Sequence, residues 1–326
     1  MMSTQNRWFF ALRCMIQCNY AIIINLTALH SKVKEMSSDT SELPEGGYSL
    51  DATSDSIVGL MDFTLLDHSA TEEALHRFCD KANIAKPAAV CVFSEHVQLV
   101  KKWLQSGIFV AAVCGGFPIG SSDSTEVIQS IECAEKGGAH EIDIVLEPRQ
   151  SEAPSGTSEE DLMFLKACRK ACGSLTLKVI LETPLLTEES TRQQSQLALS
   201  AGADFIKSCT GKRGGCSLEA ARCMSDELRV FEETSGQKKG IKISGGIQNK
   251  EQALKLLAGI LSQYPSLVCS PDGIVSRQDG ERIRIGASSL MKSLIPQLYS
   301  DTTAQGESSS ANVETKEEDI NQSSTY

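Results

Sequence analysis

The chain has 326 residues, of which 41% are hydrophobic and 22% charged, and its formal net charge is −11. This is the composition of an ordinary soluble globular protein, long enough for one large domain with tails. The acidic balance argues against nucleic acid or anionic membrane as a partner, but not against a small phosphorylated ligand, which a local Lys and a few backbone N–H groups can hold.

Residues 1–56 differ from the rest. Trp8 to Leu29 is fairly apolar, but Arg13, Gln17, Asn19 and Asn25 interrupt it. A membrane-spanning helix needs about 20 predominantly apolar residues, so this is a poor candidate. Arg7 and Arg13 are the only charges before Lys32, which is thin support for a signal or transit peptide. An unstructured extension, or an upstream start with Met36 as the true beginning, is the plainer reading. Residues 36–56, rich in Ser, Asp, Glu and Gly, read as a linker.

Eight short apolar or β-branched runs follow: Ile57–Phe63, Ala88–Phe93, Phe109–Cys114, Glu141–Leu146, Leu175–Leu181, Asp204–Ser208, Gly240–Ile243 and Arg282–Gly286. Between them lie amphipathic helical patterns such as Thr71–Asn83, Ser124–Gly138 and Glu188–Ala201, with Gly107, Gly137 and Gly202 read as helix ends. Strand–helix alternation implies a parallel sheet, and eight repeats imply closure. The expected fold is therefore an α/β protein with a single (β/α)8 TIM barrel over residues 57–300 and its active site at the C-terminal ends of the strands. A doubly wound open sheet is the rival, weakened because no G-x-G-x-x-G follows the first strand. Residues 301–326 are polar and acidic, bury too little to offset their ordering entropy, and are expected to be disordered.

The 12 cysteines form no C-x-x-C pair, and most sit in apolar stretches. Free thiols in a reducing, cytoplasmic setting are expected. The five histidines are scattered, so no metal site is expected.

Lysine inside a strand needs an explanation, because most lysines stay solvated. Three occur on consecutive predicted strands: Lys178, Lys207 and Lys242. Inward-facing residues of neighbouring barrel strands meet in the lumen. There Lys207 and Lys242 would lie close together, and an amine kept neutral by a like-charged neighbour and partial desolvation can attack a carbonyl. Alternatively, each Lys points outward or pairs with a carboxylate. Glu141 and Asp143 share one face of their strand, and Asp62 is a similar acid on the first strand. Such acids could relay protons or merely form salt bridges. Three small-residue turns, Thr210-Gly-Lys212, Ser244-Gly-Gly-Ile247 and Gly286-Ala-Ser-Ser289, follow strands six, seven and eight. Each is read as opening a helix, where free N–H groups can receive an anion.

At these positions the chain resembles the deoxyribose-phosphate aldolases. Asp204-Phe-Ile-Lys-Ser-Cys-Thr-Gly-Lys212 is similar to their D-F-I-K-T-S-T-G-K signature, Glu141-Ile-Asp-Ile-Val145 to E-[IV]-D-V-V, and Gly240-Ile-Lys-Ile-Ser-Gly-Gly246 to G-F-K-P-A-G-G. Arg284–Leu290, Ala88–Val92 and Met61-Asp-Phe-Thr64 also fit, in family order from about Ile57 to Leu298. The resemblance implies a class I aldolase that cleaves 2-deoxy-D-ribose 5-phosphate to acetaldehyde and glyceraldehyde 3-phosphate, in deoxyribonucleotide catabolism. By motif, Lys207 is the Schiff-base nucleophile, Lys242 the neighbour that favours its neutral amine and helps move protons, and Asp143 the acid/base. Gly211, Lys212, Gly245, Gly246, Gly286, Ser288 and Ser289 would hold the phosphate. Asp62, Thr64, Cys91, Lys178 and Thr210 would support them. No cofactor is implied. The expected partners are a phosphorylated sugar and small aldehydes, with no nucleic acid and no membrane; a homodimer is left open.

Several positions depart from the family pattern. Ser208-Cys209 replaces Thr-Ser, Ile243-Ser244 replaces Pro-Ala, Gln248 stands where the family often has Arg, Pro184 falls in a T-G-E-L segment, and Gly115 replaces a Thr. Another class I barrel aldolase and an inactive metabolite-binding barrel are the competing readings. Retention of three costly lumen residues argues against the inactive one. The chain ends on Tyr326. Some family members close on a tail Tyr thought to reach the active site, but here a solvated acidic tether is the favoured expectation.

Overall fold

A computed structural model describes residues 52–121, 123–147, 159–270 and 274–302. The expectations for the first 51 residues and for the tail after Thr302, Tyr326 included, lie outside the described residues. Eight parallel strands close in sequence order, β1 pairing with both β2 and β8. They are β1 Met61–Thr64, β2 Ala89–Phe93, β3 Phe109–Cys114, β4 Glu141–Val145, β5 Thr176–Ile180, β6 Phe205–Lys207, β7 Gly240–Ser244 and β8 Ile283–Ala287. The helices are α1 Ser54–Gly59, α2 Glu72–Ala85, α3 Val97–Trp103, α4 Ser124–Gly137, α5 Glu159–Cys172, α6 Glu188–Ser200, α7 Leu218–Ser235, α8 Lys250–Gln263 and α9 Ser289–Leu294. This is the expected (β/α)8 barrel.

Local chemistry sets many of the boundaries. Thr71, Asp123, Thr187, Ser217 and Asn249 each accept a backbone N–H at the start of a helix. Such caps satisfy donors that the helix itself cannot. The first predicted run is the main correction. Ile57 to Gly59 are helical, because Thr53 caps α1 through the Ser56 N–H, and β1 begins only at Met61. A buried apolar run four residues long has no period that distinguishes strand from helix. The helix-end glycines also shift. Gly138, not Gly137, takes the left-handed cap of α4, and Ala201 caps α6 before Gly202. Gly107 lies beyond α3, which ends at Trp103.

Two apolar clusters result. The large one fills the layer between the barrel and its helices. A small one, built from Cys91, Phe93, Ala111, Val113, Phe117, Val145 and Ile180, lies along the inward positions of β2 to β5. Thus one side of the lumen is apolar. The strand charges occupy the rest of the lumen, with β4 and β5 contributing to both parts: register pairs Asp143 with Lys178, Lys207 with Lys242, and Lys242 with Arg284.

Gly240 marks how tightly the lumen is filled. A Cβ there would stand 2.3 Å from the Phe205 ring. Gly240→Ala should therefore cost about 1–3 kcal/mol by overpacking, read as a lower urea midpoint at unchanged slope. A midpoint equal to the parent's would show that the ring moves aside freely.

Candidate active site

The charged side of the lumen holds four cations and three carboxylates, one formal positive charge in excess. Lys178 Nζ lies 2.5 Å from Glu141, 2.9 Å from Asp143 and 3.1 Å from Asp62. Lys242 Nζ lies 2.5 Å from Asp62 and 2.7 Å from Asp143. Arg284 donates to Asp62 at 2.6 Å and to Glu141 at 2.8 Å, and its Nε–H donates to the Gly280 carbonyl. Lys207 differs. Among the described residues its one carboxylate partner is Asp143, at 2.9 Å. It is also the least buried of the three lysines, at 4% exposure against 0% for Lys178 and Lys242.

Burial disfavours every charge in this set, but the partners outweigh it. For Asp62 and Asp143 the desolvation of the carboxyl is overcome by Lys178 and Lys242, with Arg284 adding for Asp62 and Lys207 for Asp143, so both are held well below the ordinary carboxylate range. For Lys178 and Lys242 burial pulls downward, yet Asp143 and Asp62 carry both above the usual lysine value. Lys242 is therefore a fixed cation. It shares the Oδ2 atom of Asp143 with Lys207, which brings the two amines onto one oxygen.

Lys207 also lines a cleft of about 340 Å³ at the C-terminal ends of the strands, with Thr64, Thr210, Gly211, Lys212, Gly245, Gly246, Gln248, Gly286, Ser288 and Ser289. All seven residues expected at a phosphate are thus on one wall, together with Thr64 and Thr210. Asp62, Cys91, Asp143, Lys178 and Lys242 lie beneath it, buried. Cys91 keeps its proton, because burial pushes the thiol up. A larger hollow, about 520 Å³, lies at the opposite end, lined by Gly59, Lys86, Phe109 and Arg277 among others. Barrel chemistry belongs to the C-terminal face, so the smaller cleft is the candidate site.

Two of the three turns do not open helices, contrary to expectation. α7 starts at Leu218 and α8 at Lys250, several residues beyond Lys212 and Ile247. The intervening backbone forms the wall instead. Gly245, at φ +82°, packs so closely that a Cβ would stand 2.7 Å from the Gly214 carbonyl. On Gly286 a Cβ would meet Lys242 Cε at 3.0 Å, so that glycine leaves room for the lysine. Arg284 was not singled out from sequence, although a charged residue inside a strand is the same signal that exposes the lysines.

Residues 57–263 match the family described as DeoC/LacD family aldolase. The chain belongs to that family. Its members are aldolases, carbon–carbon lyases. A relative named deoxyribose-phosphate aldolase, from Desulfitobacterium hafniense (strain DSM 10664 / DCB-2), is 35% identical over 205 residues, covering 62% of this chain and 89% of the relative. A crystal structure described as a candidate deoxyribose-phosphate aldolase from Coccidioides immitis superposes with a TM-score of 0.63 at 27% identity, covering 84% of this chain and 96% of that one. A Toxoplasma gondii ME49 structure shares the fold, with a TM-score of 0.64 at 23% identity over 78% of this chain and 96% of that one. Against the family pattern, the Thr replaced by Gly115 would not fit this backbone: φ is +68°, and a Cβ would meet Val127 at 2.7 Å.

The charge set predicts its own pH dependence. Below 3.8 the unfolded chain binds protons that native Asp62 and Asp143 refuse, so their stabilisation is present above that value and lost as pH falls towards their depressed native values. The lysine share is present below 10.5 and lost only as pH rises through the raised native values. Urea unfolding should thus show level stability across neutrality and a steep acid limb. Asp62→Asn should cost about 3–5 kcal/mol at neutral pH, since it strands buried cations, and should flatten that limb. An acid limb as steep in the variant as in the parent would clear Asp62 of this role.

Proposed function

We propose that this aldolase reversibly cleaves 2-deoxy-D-ribose 5-phosphate to acetaldehyde and D-glyceraldehyde 3-phosphate, through an imine on Lys207, in deoxyribose phosphate breakdown. The observation that carries the reading is the inequality among the lysines. Lys178 and Lys242 are each locked by two or three carboxylates, whereas Lys207 has one and faces the cleft. Removing a proton from Lys207 takes away the lumen's excess positive charge at the loss of one ion pair and leaves Asp143 with two lysine partners, whereas the other two lysines would each give up two or three pairs. The printed name of the bacterial relative supports the substrate.

The neutral amine adds to the C1 carbonyl of the open-chain sugar, and the carbinolamine loses water to give a protonated imine. A base takes the proton of the C3 hydroxyl. The C2–C3 bond then breaks, its electron pair moves towards the imine nitrogen, and glyceraldehyde 3-phosphate leaves. The remaining enamine takes a proton at C2, and water releases acetaldehyde and the free amine. Asp143, which accepts from Lys207 and Lys242 on one oxygen, is the group placed to pass these protons. Lys242 holds Asp143 in position and keeps a cation beside the reacting nitrogen. The backbone wall from Gly211 to Ser289 with Lys212 receives the phosphate. The apolar side of the lumen, with Phe117 5.9 Å from Lys207 Nζ, suits the two-carbon fragment.

Borohydride added with the sugar phosphate should fix a label on the Lys207 peptide, and Lys207→Ala should abolish both label and turnover. A label on another lysine would overturn the assignment. Asp143→Asn should lower kcat by about 10²–10⁴-fold. Because the imine itself serves as the electron sink, chelators should leave the rate unchanged.

A further inference from the structure

Among the described residues only Lys86 and Glu182 are non-glycine residues with positive φ. Lys86 caps α2, an ordinary place for that geometry. Glu182, at φ +59°, caps no long helix. It follows β5, is fully buried, and precedes a short 3₁₀ turn, Thr183–Leu185. A buried carboxylate in a costly backbone conformation persists only where its surroundings hold it there.

Those surroundings are the loops around the cleft. Glu182 Oε1 accepts the Thr210 N–H at 3.3 Å, and Arg213 Nη2 stands 3.4 Å from its Oε2. The same Arg213 nitrogen donates to the Pro118 carbonyl at 3.0 Å in the β3–α4 loop. Pro184 presses on the far side, where a Cβ on Gly214 would stand 2.7 Å from the Pro184 Cβ. Of the four buried side-chain polar atoms without a hydrogen-bond partner among the described residues, three are Glu182 Oε2, Thr183 Oγ1 and Arg213 Nε. The charged pair is thus adjacent but incompletely bonded. A small rotation of the guanidinium would turn one approach into a two-point bond.

We propose that Glu182 and Arg213 form a positioning tie that sets the anion affinity of the cleft by fixing the Thr210–Gly211–Lys212 segment. The tie touches none of the reacting atoms, and neither residue lines the cleft. It acts through its neighbours: Thr210 is pinned by Glu182, the Lys212 N–H is pinned by Thr210 Oγ1 at 3.1 Å, and Arg213 anchors the end of the same segment. A wall held before binding loses less freedom when it closes on an anion, so its loss should appear as weaker binding rather than slower chemistry. By reciprocity, an anion in the cleft favours the completed Glu182–Arg213 bond. The tie also accounts for Pro184, a residue that the sugar-phosphate reading leaves unexplained. The inference rests on that reading only in taking the anion to be a phosphate.

The test uses the full chain and its Arg213→Met, Arg213→Lys and Glu182→Gln variants, with inorganic phosphate as the probe. Arg213 is partly exposed, so its replacement is the safer variant for folding. Titration should show phosphate binding about tenfold weaker in Arg213→Met, with partial recovery in Arg213→Lys and the same direction in Glu182→Gln. Acetaldehyde trapped on Lys207 by borohydride should be unchanged. With the sugar phosphate, KM should rise about tenfold while kcat stays within about twofold. Equal phosphate affinity in parent and Arg213→Met would overturn the tie, as would trapping that falls in step with binding, the mark of a general structural defect. A parent that binds phosphate but does not cleave deoxyribose 5-phosphate would sink the proposed function while the phosphate arm still judged the tie.

Discussion

Everything at this site hangs on the way Asp143 is shared. Its two oxygens meet Lys178, Lys207 and Lys242 within 2.9 Å. A lone carboxylate in such a place would be driven to neutrality by burial, and lone lysines would lose their protons. Each exists as a charge only because the others do. Asp62 and Glu141 extend the set downward to Arg284, so that the pairing runs most of the height of the barrel. Such a lattice is not an efficient way to stabilise a fold, since well-packed apolar residues of like volume often do as well. Its justification is chemical. It delivers one amine to the cleft with a single anionic partner, and that partner is held in place by two further lysines.

The lattice imposes demands on the rest of the molecule. Long lysine side chains inside a small barrel need space, which Gly286 provides beside Lys242. On β2 and β3, Cys91, Phe93, Ala111 and Val113 fill the other side rather than more charge. A barrel lined by ions all round could not satisfy them, and one lined by apolar residues all round would offer no proton carrier. The lumen therefore divides into a charged part and an apolar part.

Much of this was legible in the sequence. The eight-fold rhythm follows from hydrophobic period and turn residues, which act over short spans, and the three strand lysines stood out because the residue type conflicts with its setting. What stayed hidden depends on contacts between distant residues. Ile57 to Gly59 read as strand because so short a buried run carries no period; a threonine cap decided for helix. That Asp62 and Lys178 serve the lattice rather than the cleft wall depends on their height in the barrel, which sequence spacing does not encode. Glu182 gave no signal, because its strain and burial arise from β6 and the loops that pack over it. Arg284 gives a signal of the same kind as the lysines, a charge near the start of the last strand.

The departures from the family pattern spare the charged lumen residues, although Ser208, Cys209, Ile243 and Ser244 are buried next to them. Asp143, Lys207 and Lys242 lie in the lumen and match it. Gly115, Pro184 and Gln248 lie in loops above the strands, and each has a local reason or a local contact: Gly115 fits against Val127, Pro184 against Gly214, and the Gln248 N–H donates to Gln252 at 2.8 Å. A change inside the lattice would strand a buried charge, whereas a loop change is absorbed by neighbouring backbone that glycine has already freed. This asymmetry separates two properties that a single pocket often mixes. The charged lumen and the loops that line the cleft can therefore vary separately. With glutamine rather than arginine at 248, Lys212 is the cationic side chain that the Thr210–Gly211–Lys212 segment brings to the cleft. Behind that segment the buried Glu182 carboxylate stands 3.4 Å from the partly exposed Arg213.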